Sequence, residues 1–214
     1  MDEDLSIISN NTKNEKIKSF FVNNKNKIIS GIIVLFVIIT GFFSYDKYLV
    51  NKKKEISDKF NLITINYSEN TKDKTANGLI EIIYKKDPTY SPLSLYFIID
   101  NNLISNQETM NSLFDLLIED SSLDDEIKYL IILKKALFNS DNIQEFDLLN
   151  ILNPLINSTS VWKSHALYLM AEYFYSKNQK QKAKEFFNQI ISLENVNSEI
   201  RLEVEKRLNR DLSE

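Results

Sequence analysis

Residues Ile28 to Tyr45 read IISGIIVLFVIITGFFSY, eighteen consecutive positions without a charge in a chain of 214. An α-helix rises ~1.5 Å per residue, so such a run spans ~27 Å, close to the ~30 Å hydrocarbon core of a bilayer. Tyr45 and Tyr48 fall at headgroup depth, and Lys27 and Lys47 can snorkel outward to make up the difference. Twelve of the eighteen are Ile, Val, Leu or Phe. At ~0.3–0.6 kcal/mol each, their insertion contributes roughly 4–7 kcal/mol, which outweighs Ser30, Thr40 and the two glycines. A core helix of a soluble protein rarely lacks a polar face for so long.

A cleaved signal peptide is the rival reading. Cleavage needs small residues in an A-x-A-like pattern, and Phe42-Phe43-Ser44-Tyr45-Asp46 lacks it. The sequence therefore predicts an uncleaved, single-pass anchor. Five lysines lie within fifteen residues before the span (Lys13, Lys16, Lys18, Lys25, Lys27) and five after it (Lys47, Lys52, Lys53, Lys54, Lys59), so the positive-inside rule does not orient it. Gly31 and Gly41 are ten apart and form no G-x-x-x-G face.

The rest of the composition narrows the class. The chain carries 26 Lys and Arg against 30 Asp and Glu, and the part after the span holds 21 and 26 of them, a net of −5. That balance argues against nucleic-acid binding. Without cysteine there are no disulfides, thiol redox chemistry or thiolate-bound metals. Three glycines and three prolines are too few for a turn-rich β fold, so an all-α chain is expected.

Four segments follow. Residues 1–27 form a short polar tail, in which Ile17, Phe20 and Phe21 stand beside Lys16 and Lys18. Residues 28–45 form the transmembrane helix. Residues 46–90 form juxtamembrane helices, the first with Leu49, Ile56, Phe60 and Ile63 at helical spacing, the second with Ala76, Leu79, Ile80, Ile83 and Tyr84. Asp87-Pro88 ends the second, because the residue before proline avoids the α region.

Residues 91–214 are punctuated regularly. Helix starts are expected at Ser91-Pro92, at Ser122 with its following acids, and at Ser160, at spacings of 31 and 38. Breaks near Ser105, Ser140 and Ser176 fall between them, 35 and 36 apart. A helix pair recurring about every 35 residues marks an α-solenoid, here with a last helix over 198–210.

The last pair carries a pattern: Leu167, Met170, Ala171 and Phe174 on its first helix, Ala183, Phe187 and Ile190 on its second. Small residues at Ala171 and Ala183 allow close helix–helix approach, and the large ones interlock around them. This pair resembles the tetratricopeptide repeat, with Asn195 where the repeat's closing proline falls. Tail, anchor and helical-repeat domain together resemble one bacterial family: the membrane-anchored ancillary subunit of the Sec translocon, grouped with tetratricopeptide domains of a cell-division coordinator. The resemblance implies a cytoplasmic N-terminus, a periplasmic C-terminal domain at the inner membrane, and a chaperone-like or scaffolding role among Sec translocon subunits, other envelope proteins or secreted clients.

His165, Tyr168, Glu172 and Tyr175 recur at i, i+3, i+7 and i+10 on the first helix of that pair. In tetratricopeptide repeats this face lines the concave groove, so these four are the candidate partner-binding residues; tyrosines give amphipathic contact area there. Packing of both tyrosines against a neighbouring helix is the plainer reading. His165 is the single histidine, without H-x-x-x-H or H-E-x-x-H spacing for a metal. The acids between Asp100 and Asp147, eleven against three lysines, read as a solvated face and helix caps before they read as a docking surface. No phosphate-binding glycine loop, nucleophile elbow or calcium loop occurs. The expectation is an interaction protein, not an enzyme, with no cofactor, no metal and no nucleic acid. The alternative is a membrane-bound enzyme or small-ligand sensor whose site is assembled from non-local residues.

Overall fold

The structure, a computed structural model, describes residues 18–212 apart from Ser121 and Asn195. Residues 1–17 of the polar tail and Asn195, at the repeat's closing position, lie outside the described residues. The chain is all-helical, with no strand among the described residues. It divides into two compact units, Met1–Glu55 and Ile56–Glu214, and the division falls inside one long helix.

In the first unit, residues 18–23 are helical and α1 begins at Lys25; it continues without a break to Ile65 over 41 residues. The named large side chains from Ile29 to Phe43 are each 44–70 % exposed, so nothing in this unit covers them. Thr40 resolves its own polarity: its hydroxyl donates to the carbonyls of Phe36 (2.9 Å) and Val37 (3.1 Å). A hydroxyl bonded back to its own helix needs no water, as lipid requires. This helix is long and apolar enough to cross a membrane.

The second unit starts where α1 acquires a buried face. Ile56 is buried and Phe60 and Ile63 are half-buried, whereas Leu49, before the division, is exposed. A 3-10 turn, Glu69–Thr71, then leads into α2 (Lys72–Tyr84), α3 (Tyr90–Asp100), α4 (Gln107–Ile118), α5 (Asp125–Asn139), α6 (Glu145–Ile156), α7 (Lys163–Ser176), α8 (Lys180–Ile191) and α9 (Ser198–Asp211). Breaks expected near residues 105, 140 and 176 fall at the loops after α3, α5 and α7. The caps differ. Asp87, not Ser91, starts α3, its carboxylate accepting from the N–H of Thr89 (2.9 Å) and Tyr90 (2.7 Å). Asp124, not Ser122, starts α5, accepting from Glu126 N–H at 2.9 Å. A carboxylate is the stronger acceptor and favours the positive helix end.

Ser91 instead lies fully buried inside α3 and donates to the Ile82 carbonyl of α2 at 3.0 Å. That small side chain lets α3 sit closely on α2, and α3 packs more tightly there than on α4, the partner its sequence spacing suggests. The expected boundary between residues 90 and 91 thus falls at the start of a helix that packs back across it. The other close hairpins are α5–α6 and α7–α8. Asn178 turns the chain between α7 and α8 at a left-handed φ of 58°, and Gln179 N–H donates back to Phe174 at 2.9 Å. Inside this hairpin Ala171, Ala183 and Phe187 are fully buried and Phe174 nearly so, and the Phe174 and Phe186 rings stack at 5.4 Å.

Two apolar clusters fill the unit. One runs from Ile56 to Ile131 and the other from Ile132 to Leu212, meeting on α5. Between α4 and α5, buried Asn139 exchanges bonds with Asn111 (2.9 and 3.2 Å) and accepts from Gln107 at 2.8 Å. The amide geometry satisfies these groups in one register only.

Candidate functional site

Helix α7 also touches α5 on one side and α9 on the other, skipping the helices between them. Together they line a groove of about 530 Å³. Leu133 and Leu137 come from α5; His165, Tyr168, Leu169 and Glu172 from α7; Glu199, Ile200 and Glu203 from α9. The helical period dictates the α7 set, since positions three and four apart share a face. Leu137 is 51 % exposed, a large apolar side chain open to the groove.

Three of the four residues singled out on α7 meet here. His165 has its ring 5.2 Å from that of Trp162, and its Nδ1 is buried without a hydrogen-bond partner. Burial lowers its pKa, because the imidazolium loses hydration. Tyr168 packs edge-on against Phe187 at 5.6 Å. Its hydroxyl pKa is raised, first by burial and then by the nearby charges of Glu172 and Glu203. Glu172 accepts two parallel bonds from Arg207 of α9, both at 2.8 Å. Tyr175 is not among the groove-lining residues: the Arg207 guanidinium lies 4.3 Å over its ring. So one tyrosine is available to the groove and the other is packed beneath an arginine.

Arg207 has no counterpart among the four residues that helical spacing selects. Its side chain is 11 % exposed and also pairs with Asp211. Burial works against its charge, but Glu172 and Asp211 outweigh burial and raise its pKa. Asp211 in turn is held down at about 2, chiefly by the hydrogen bond from Arg210. The signal available was scarcity: Arg207 is one of three arginines in the chain, and it lies on the same strip as Ile200, Glu203 and Val204.

Much of the acidic stretch between Asp100 and Asp147 is occupied elsewhere. Asp115 pairs with Lys135 and Glu145 with Lys182, while Asp120 and Asp124 cap chain turns and Glu126 accepts from Ser160. Among the described residues no cluster of three His, Asp or Glu side chains is arranged to hold a metal ion. The groove can therefore do two things on the residues present: bury apolar side chains on its leucines and isoleucine, and meet positive charge at its glutamates. Comparison with protein-family models, with curated proteins and with solved structures finds no match to this chain.

Proposed function

We propose that this chain is a single-pass, membrane-anchored helical-repeat protein that binds protein partners in the bacterial cell envelope, as an ancillary, chaperone-like companion of the Sec translocon. In this reading residues 46–214 face the periplasm and the N-terminus the cytoplasm. The observation that carries the binding role is the groove on alternate helices α5, α7 and α9, with an apolar floor left open. In a solenoid of hairpins the first helices of successive pairs stack side by side and make the concave face. The tetratricopeptide-like reading is further supported by the α7–α8 hairpin, where Ala171, Ala183 and Phe187 are fully buried and Phe174 nearly so. The anchor reading is supported by the uncovered apolar face of α1.

Site-specific photo-crosslinking in native membranes tests the role. A photoreactive residue at Leu137, in the groove, is expected to capture a translocon subunit or a translocating client. The same probe at Phe146 on α6, 72 % exposed but outside the groove, is the control. Equal capture from both positions, or capture of neither class from Leu137, refutes the assignment.

A further inference from the structure

The groove's lining is chemically lopsided. Its floor is Leu133, Leu137, Leu169 and Ile200, its charged members are Glu172, Glu199 and Glu203, and no lysine or arginine lines it. The three acids are not equivalent. Glu172 is already neutralised by the paired bonds from Arg207. Glu203 has an exposed i,i+3 partner in Lys206 at 3.6 Å, a weak pair in water. Glu199 makes no ion pair among the described residues. Glu199 and Glu203 stand one turn apart on α9, either side of Ile200, and like charges at i,i+4 repel each other. The chain thus keeps two carboxylates, Glu199 without an ion pair among the described residues and Glu203 with only a weak one, at the edge of an open apolar floor.

Resting on the groove reading above, we infer that the occupant is a partner segment in which bulky apolar side chains are followed closely by lysine or arginine. The apolar side chains displace water from the floor, and the cation sits between Glu199 and Glu203 and relieves their repulsion. An apolar segment flanked by acids is rejected by the same two groups. The pKa of Tyr168 is raised first by burial, and the charges of Glu172 and Glu203 add to that against the opposing Arg207.

The test uses the full chain in phosphatidylcholine nanodiscs, whose lipid carries no net charge. Three fluorescent twelve-residue peptides share one set of Leu and Phe anchors and differ only in flanks of Lys, Gln or Glu. Anisotropy titrations are expected to rank them Lys, Gln, Glu, with the Lys peptide about tenfold tighter than the Gln peptide near physiological salt. In a Glu199→Gln/Glu203→Gln variant the Lys peptide falls to the level of the Gln peptide, whose own affinity does not change. Equal affinities for all three, abolished by Leu137→Lys, overturn the charge preference and leave the groove standing. Affinities unaltered by Leu137→Lys overturn the groove and the preference with it, and binding of none of the three overturns the preference.

Discussion

Replacing Arg207 by Ala should loosen α9. The side chain holds three things at once: the paired bonds to Glu172 at 2.8 Å, a bond to Asp211, and the face of Tyr175 at 4.3 Å. The Glu172 side chain is 36 % exposed, so solvent discounts the pair well below the ~3–5 kcal/mol of a fully buried one. Two screened, charge-assisted bonds at about 1 kcal/mol each, plus ~0.5–1 kcal/mol for the ring contact, give about 2–3 kcal/mol. In a unit of this size that lowers Tm by about 5–10 °C. Arg207→Lys keeps the charge but not the planar fork, and should lose about half as much. The assay is thermal unfolding of the full chain in micelles, followed by hydrogen exchange along α9 and α2. Protection should fall in α9 and hold in α2, because the two belong to different apolar clusters. A cycle with Glu172→Gln should give a coupling of about 1 kcal/mol. Coupling near zero, or an Arg207→Ala protein as stable as the parent, would show that the guanidinium fork does not hold α9.

Further outcomes are expected. Phe187→Ala, at a fully buried site, should cost about 3–5 kcal/mol in urea unfolding, whereas Phe146→Ala at 72 % exposure should stay within ~0.5 kcal/mol. Asn139→Ala leaves Asn111 and Gln107 without their shared partner and should cost about 1–3 kcal/mol, seen in the same titration. The depressed pKa of His165 means the unfolded chain binds a proton first as pH falls below its ordinary ~6.5, so stability should decline from there down toward the lower folded-state value, and His165→Gln should flatten that decline. Asp211 adds a separate loss at far lower pH, complete only as the medium passes about 2; melting curves across pH separate the two. Finally, alkaline carbonate should leave the chain in the membrane pellet, protease added to spheroplasts should cut residues 46–214, and extraction into the wash would remove the anchor.

Different physical rules governed what the sequence disclosed. The long apolar helix was legible because an unbroken apolar run has few alternatives, and the helices of the second unit were legible because Ser, Asn and Pro punctuate them. The sequence points to helix starts at Ser91 and Ser122, but an aspartate a few residues away, at Asp87 and Asp124, is the better cap. The α2–α3 pairing was not legible: it depends on buried Ser91 reaching the Ile82 carbonyl, a tertiary contact that leaves no periodic trace. On the groove, the α7 face could be read from helical spacing, but α5 and α9 supply more than half of the wall and lie thirty residues away in either direction. The sequence places Tyr175 on the face of Tyr168 because seven residues return to nearly the same side of a helix. That step also moves ~10.5 Å along the axis, to where Arg207 covers it.

The apolar clusters meet between adjacent residues, Ile131 and Ile132, of one continuous rod. Such a joint should behave like a fuse, because cooperative units of a fold can open separately. Heat or a pull sufficient to strip away α6 to α9 need not dissolve α2 to α4, and the surviving stretch of α5 remains as a template on which the lost hairpins can re-form.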